Sequence, residues 1–104
     1  MGYPRIRPKR LAEKLLHIRN ALGLSQGELY RRLGVEDLIP HKRISRYERD
    51  ELEPPLPVLL QYARAAGVHM EDIVDDELDL PLKLPGKVRY LGLKRKPTAR
   101  IRNK

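Results

Sequence analysis

The chain contains no cysteine, no tryptophan and no phenylalanine. Without cysteine there is no disulfide, no thiolate metal site and no cysteine nucleophile. No apolar run approaches the roughly 18 residues of a membrane span. The start, Met1-Gly2-Tyr3-Pro4-Arg5, lacks the apolar core of a secretion signal. The three histidines, His17, His41 and His69, show no metal-ligand spacing. His17 reads as a helix residue and His69 as a neighbour of the fifth helix's start. A phosphate-cradling glycine loop, a nucleophile elbow and a pair of catalytic carboxylates are all missing. These absences predict a cytoplasmic protein that is not an enzyme, takes no cofactor or metal and makes no use of a membrane.

What is present is charge, unevenly placed. The 104 residues suit one domain and hold 22 Lys and Arg against 14 Asp and Glu, a formal net charge of +8. Residues 1–10 carry Arg5, Arg7, Lys9 and Arg10 with no acid. Residues 83–104 carry Lys83, Lys87, Arg89, Lys94, Arg95, Lys96, Arg100, Arg102 and Lys104, again with no acid. Every acid therefore lies in an intervening body of opposite net sign. The arms read as solvated termini or as electrostatic contact with nucleic-acid phosphates through counterion release. Recruitment to anionic lipid is a lesser reading, since no lipidation signal or strong amphipathic helix accompanies Lys94-Arg95-Lys96. The acidic group Glu71, Asp72, Asp75, Asp76, Glu77 and Asp79 lacks the glycine and spacing of a calcium loop. It reads as a solvated face or as a holder of the basic tail.

Apolar spacing then gives the elements. Leu11, Leu15, Ile18 and Leu22 form one stripe of a helix over residues 9–22, with Pro8 in its first turn and Gly23 at its end. Ser25 with Glu28 makes a capping box for a second helix from Gln26 to Leu33, stopped by Gly34. Pro40 opens a third helix to about Arg49, with Ile44 and Tyr47 facing inward. Pro54 and Pro55 force a break, and Pro57 starts a fourth helix to Ala66 burying Leu59, Leu60 and Ala63. A short fifth helix covers residues 70–76, with Met70, Ile73 and Val74 inward. Leu78, Leu80, Leu82 and Leu84 then alternate with polar residues and prolines, the period of an extended segment. Its leucine face needs cover from the chain's own body or from a second copy. The expected organisation is all-α: a basic N-terminal arm (1–8), a five-helix domain (9–76), an extended leucine arm with a candidate strand from Lys87 to Leu93 (77–93), and a basic tail (94–104).

Two short helices meeting through a glycine turn are the basis of helix-turn-helix DNA binding. The stretch from Leu24-Ser25-Gln26-Gly27-Glu28-Leu29 through Arg32-Leu33-Gly34-Val35, followed by Ile44-Ser45-Arg46-Tyr47-Glu48-Arg49, resembles the lambda-repressor/Cro-like (XRE-type) helix-turn-helix family. The flanks Leu15, Ile18-Arg19, Pro54-Pro55-Leu56, Leu59-Leu60 and Gly67-Val68 resemble it too, so the likeness covers about residues 11–75. It implies a sequence-specific transcriptional regulator of phage-repressor type, binding double-stranded DNA as a homodimer. It implies DNA contacts from Ser25 and Gln26 and from His41, Lys42, Arg43, Ser45 and Arg46 on the recognition helix. It also implies a structural ion pair of Arg19 with Glu48, and a core of Leu15, Ile18, Leu29, Leu33, Val35, Ile44, Leu56, Leu59, Leu60, Ala63, Val68 and Ile73. Helical spacing independently turns His41, Lys42, Ser45, Arg46 and Arg49 away from Ile44 and Tyr47. Lys94, Arg95, Lys96, Arg100 and Arg102 in the tail would add backbone affinity.

The chain departs from the family at three places. Tyr30 stands where a small residue is usual, because the second and third helices approach closely there. The connection from Val35 to Ile44 is longer than usual by Glu36-Asp37-Leu38-Ile39. Asp50 replaces the glycine favoured after the recognition helix. A same-class alternative is an antitoxin that binds its own promoter and a toxin protein. A different-class alternative, suggested by Tyr30 and the longer turn, is a protein- or RNA-interaction module.

Overall fold

The computed structural model describes residues 7–85, which form five helices: α1 (Leu11–Leu22), α2 (Gln26–Leu33), α3 (Arg43–Glu48), α4 (Leu56–Ala66) and α5 (Met70–Val74). Among the described residues there is no strand, and no helix is long and apolar enough to cross a membrane. α1 packs against α3, α4 and α5, and α2 closes the bundle against α3 and α4. Sixteen apolar residues make one buried core, including Leu15, Ile18, Leu29, Val35, Ile44, Tyr47, Tyr62 and Ile73.

The start of α1 differs from the sequence expectation, and the cause is long-range. Residues 9 and 10 remain outside the helix, and Pro8 precedes its first turn. Their amides instead donate to the two carboxylate oxygens of Asp76, at 2.8 Å from Lys9 and 2.9 Å from Arg10. Those two bonds hold the Asp76 carboxyl below its ordinary range. A carboxylate at a helix N-terminus also favours the helix dipole. At the far end Gly23 takes the left-handed conformation (φ 71°), which lets its own amide and that of Leu24 return to the Asn20 and Arg19 carbonyls.

Lys14 is 2% exposed, on the same face as Leu11, Leu15 and Ile18. Its ammonium donates to the carbonyls of Asp72 and Asp75, both at 2.8 Å. These are carbonyls at the C-terminal end of α5, beyond the reach of its own helical amides; the Asp75 carbonyl also accepts the Leu78 amide at 3.0 Å. α5 itself stops two residues earlier than the apolar spacing implied, because Asp75 is already extended (ψ 113°). Ile73 is buried there, while Met70 and Val74 are half-buried.

The acidic group is thus mostly engaged by the body of the domain. Asp76 caps α1, Asp72 accepts the His69 amide at 3.0 Å, and Asp75 accepts the Glu77 amide at 2.9 Å. Asp79 pairs with Arg10 at 2.7 Å. Glu71, Glu77 and Asp79 remain exposed, so the group is a solvated face of which Asp76 and Asp79 also serve the start of α1.

α4 buries Val58, Leu59, Tyr62, Ala63 and Ala66. Leu56 and Leu60, both expected in the core, fall off that stripe: Leu56 is 69% exposed and Leu60 is half-buried. Val58 and Tyr62 take their places. In the leucine arm, Leu80 and Leu84 pack against the chain's own core, whereas Leu82 is 91% exposed. The candidate strand from Lys87 to Leu93, the tail 94–104 and residues 1–6 lie outside the described residues.

Candidate nucleic-acid interface

The interface is built on three helices held by one carboxylate. Glu48, at the end of α3, accepts from Arg19 of α1 at 2.6 Å and 3.1 Å, in a two-pronged pair. The same carboxylate accepts from the Gln26 amide of α2 at 3.0 Å. Only 5% of the Glu48 side chain is exposed, so these bonds replace the water it has lost. They also push the Arg19 guanidinium further above its ordinary pKa, outweighing the opposing effect of burial. Arg19 donates as well to the Leu24 carbonyl at 3.0 Å, on the turn between α1 and α2. The angle of α3 to its neighbours is set here.

Ser25 caps α2: its hydroxyl accepts the Glu28 amide at 3.1 Å, and its own amide donates to the Glu28 carboxylate at 2.8 Å. That arrangement holds Glu28 below its ordinary pKa, the Ser25 amide being the main cause. The Ser25 hydroxyl proton remains free to donate outward. Gln26 is half-buried, with one amide hydrogen committed to Glu48.

The third helix is shorter than its sequence suggested. Pro40 lies three residues before α3, its carbonyl accepting the Arg43 amide at 3.0 Å, and the His41 carbonyl accepts the Ile44 amide at 3.2 Å. These bonds span three residues, so His41 and Lys42 sit on a tighter turn that leads into the helix. A proline at the head of a helix and one at the head of such a turn have the same φ, which is why the boundary was misread. Within α3, Ile44 and Tyr47 are buried, Arg46 is exposed, and Arg43 and Ser45 are half-buried. His41 and Lys42 are exposed, and Lys42 pairs with no carboxylate among the described residues. Burial raises the Tyr47 phenol, with the Arg43 guanidinium acting the other way. The structure therefore brings His41, Lys42 and Arg46 out on the surface at and around α3. Ser25 and Gln26 stand at the adjoining end of α2.

Tyr30 and the longer connection explain each other. Val35 accepts from the Leu38 and Ile39 amides at 2.8 Å and 3.0 Å, folding the added residues into a turn that buries Ile39 and leaves Leu38 exposed. The Tyr30 hydroxyl donates to the Ile39 carbonyl at 2.6 Å. Its ring lies 5.1 Å from that of His41, tilted by 33°. His41 also approaches Gly27, where an added Cβ would lie 3.6 Å from its Nε2. Tyr30 points its ring along the connection and braces the turn that carries His41. A small residue at this position could not span the larger turn.

After α3 the chain reverses through Asp50, whose φ of 62° is the left-handed conformation usually taken by glycine. The Asp50 amide returns to the Tyr47 carbonyl at 3.2 Å and the Glu51 amide to the Arg46 carbonyl at 2.9 Å. This pair of bonds is the Schellman closure of a helix. Arg7 reaches the same turn, with its guanidinium 3.6 Å from the Asp50 carboxylate. Sequence reading missed Tyr30 as a brace and Glu51 altogether. The Asp50 turn was the available signal for Glu51, because a Schellman closure returns the next residue alongside the helix's last turn. The tail residues Lys94, Arg95, Lys96, Arg100 and Arg102 fall outside the described residues.

Among the described residues, no group of His, Asp or Glu could hold a metal ion. Comparison with known proteins gives no match to a curated protein and none to a solved structure. A family model described as helix-turn-helix does match, over residues 15–73, from the middle of α1 into α5. That span holds the Ser25 cap, the Glu48 network and all of α3. The match covers more than half of the chain, which belongs to the lambda-repressor/Cro-like (XRE-type) helix-turn-helix family of DNA-binding regulators.

Proposed function

We propose that this protein is a sequence-specific transcriptional regulator of phage-repressor type that places α3 and the turn before it in the major groove of double-stranded DNA. The observation that carries this reading is the division of α3 into two faces. Ile44 and Tyr47 anchor it to the core, while Lys42 and Arg46 point outward beside His41. Arg46 offers a guanidinium for base edges, and Ser25, Gln26 and Lys42 offer donors for phosphate. Two copies on half-sites about one helical turn apart, roughly 34 Å, would suit a recognition element of this kind. Tyr30 and the longer connection, the features that suggested a protein- or RNA-interaction module, support the DNA reading once they act as a brace for His41.

Selection of duplexes from a random pool tests the proposal. The expected product is a defined, palindromic site. Arg46→Ala should then lose about 1–3 kcal/mol of discrimination at one base pair of that site. Equal losses on the selected site and on random duplex would overturn the reading role of Arg46. Preference for structured RNA over duplex DNA would overturn the function.

A further inference from the structure

Glu51 sits between the two outward arginines at the end of α3. Its Oε1 lies 3.2 Å from Arg46 Nε, and its Oε2 lies 3.3 Å from Arg49 Nε. Arg49 Nη2 also donates to Oε1 at 3.4 Å. The placement follows from the backbone: the left-handed turn at Asp50 sends the Glu51 amide back to the Arg46 carbonyl, and the side chain goes with it. All three side chains are roughly half exposed, so solvent weakens the pairing and a ligand can compete with it.

The atom used is the telling detail. Arg46 gives Glu51 its Nε hydrogen, which leaves the hold on one edge of the guanidinium and the two terminal nitrogens at its far end. Those are the nitrogens that meet guanine O6 and N7 in a bidentate contact. A guanidinium is planar and rigid, so fixing one edge aims the other. An arginine already aimed loses less side-chain freedom on binding. The carboxylate also repels phosphate, which disfavours complexes in which Arg46 and Arg49 merely lie along the backbone.

We propose that Glu51 is a specificity-determining positioning residue: it holds Arg46 by its Nε edge so that the terminal fork reads a guanine, and its charge disfavours non-specific duplexes. The inference rests on the DNA-binding reading above. Its test uses the full chain, with Glu51→Ala and Glu51→Gln beside the unaltered protein, a selected duplex, that duplex with the guanine replaced, and a random duplex. The unaltered protein should prefer the guanine by tenfold or more, within the range of a good bidentate contact. Glu51→Ala should reduce that preference to about threefold or less. It should bind random duplex at least as tightly as before, with an unchanged thermal midpoint. Glu51→Gln keeps an acceptor without the charge and should retain part of the preference. In the free protein, the Arg46 Nε–H resonance should shift in Glu51→Ala, reporting loss of the hold directly.

Full guanine preference in Glu51→Ala would overturn the inference and leave the DNA-binding function standing. So would a selected site with no guanine under Arg46. Failure of the unaltered protein to bind any duplex would overturn both, and it would be seen before any variant is compared.

Discussion

The two sides of this small domain treat their charges in opposite ways. On the side where α1 meets α5 and the leucine arm, several charges are used internally. Lys14 closes the end of α5, Asp76 caps α1, and Arg10 pairs with Asp79. Around α2 and α3, Lys42 and Arg46 face outward, and Glu51 is the carboxylate set among the arginines there. The sequence shows both regions as runs of charged residues. What separates them is whether backbone groups left open by short helices lie within reach. Where they do, a charge becomes a cap; where they do not, it remains available to a ligand.

The contrast can be tested by removing charges from each side, beginning with the one that joins them. Glu48→Ala should have the largest effect, a loss of about 2–3 kcal/mol, because Arg19 would keep its charge in a partly desolvated place without its partner. Urea unfolding measures it. A loss under about 0.5 kcal/mol would class the pair with ordinary surface bridges and remove it as the setting of α3. Lys14→Met should cost about 1–2 kcal/mol, since the Asp72 carbonyl loses its ammonium donor and the Asp75 carbonyl keeps only the Leu78 amide. Duplex affinity of the folded variant should not change. If affinity fell in step with stability, the two sides would be one unit and the contrast would break.

The smallest effect is one of pH. The Asp76 carboxyl titrates below its ordinary value of 3.8 in the folded chain. Its contribution is therefore fully present above that value and is lost as pH falls through the lower, folded-state one. Asp76→Asn should flatten this part of the acid-side decline in a series of thermal melts. A decline as steep as before would remove Asp76 as its source.

Legibility followed the range of each interaction. The Ser25–Glu28 capping box could be read outright, because its two residues and the amides they satisfy lie within one turn. The stripe of Leu11, Leu15 and Ile18 was equally local, yet Lys14 on the same face went unread: nothing nearby in sequence announces the carbonyls of residues 72 and 75. Arg19 and Glu48 entered through the family resemblance, since a pair 29 residues apart leaves no local pattern. Leu56 entered the expected core through the family resemblance, and the prolines on either side mark a helix start without saying which face of its first turn is inward. Tyr30 was legible as an oddity and not as a brace. Its role depends on where the Ile39 carbonyl ends up, and that is decided by the fold of the added turn.

The helix-turn-helix match ends at residue 73, but the folded unit does not. Asp76 holds the first two amides ahead of α1, and Arg10 reaches past it to Asp79. A domain excised at the family boundaries would lose the first four residues of α1 and the last residue of α5, and with them the clasp that joins its beginning to its end. In this protein the natural border of the independent module runs several residues beyond the border that sequence kinship draws.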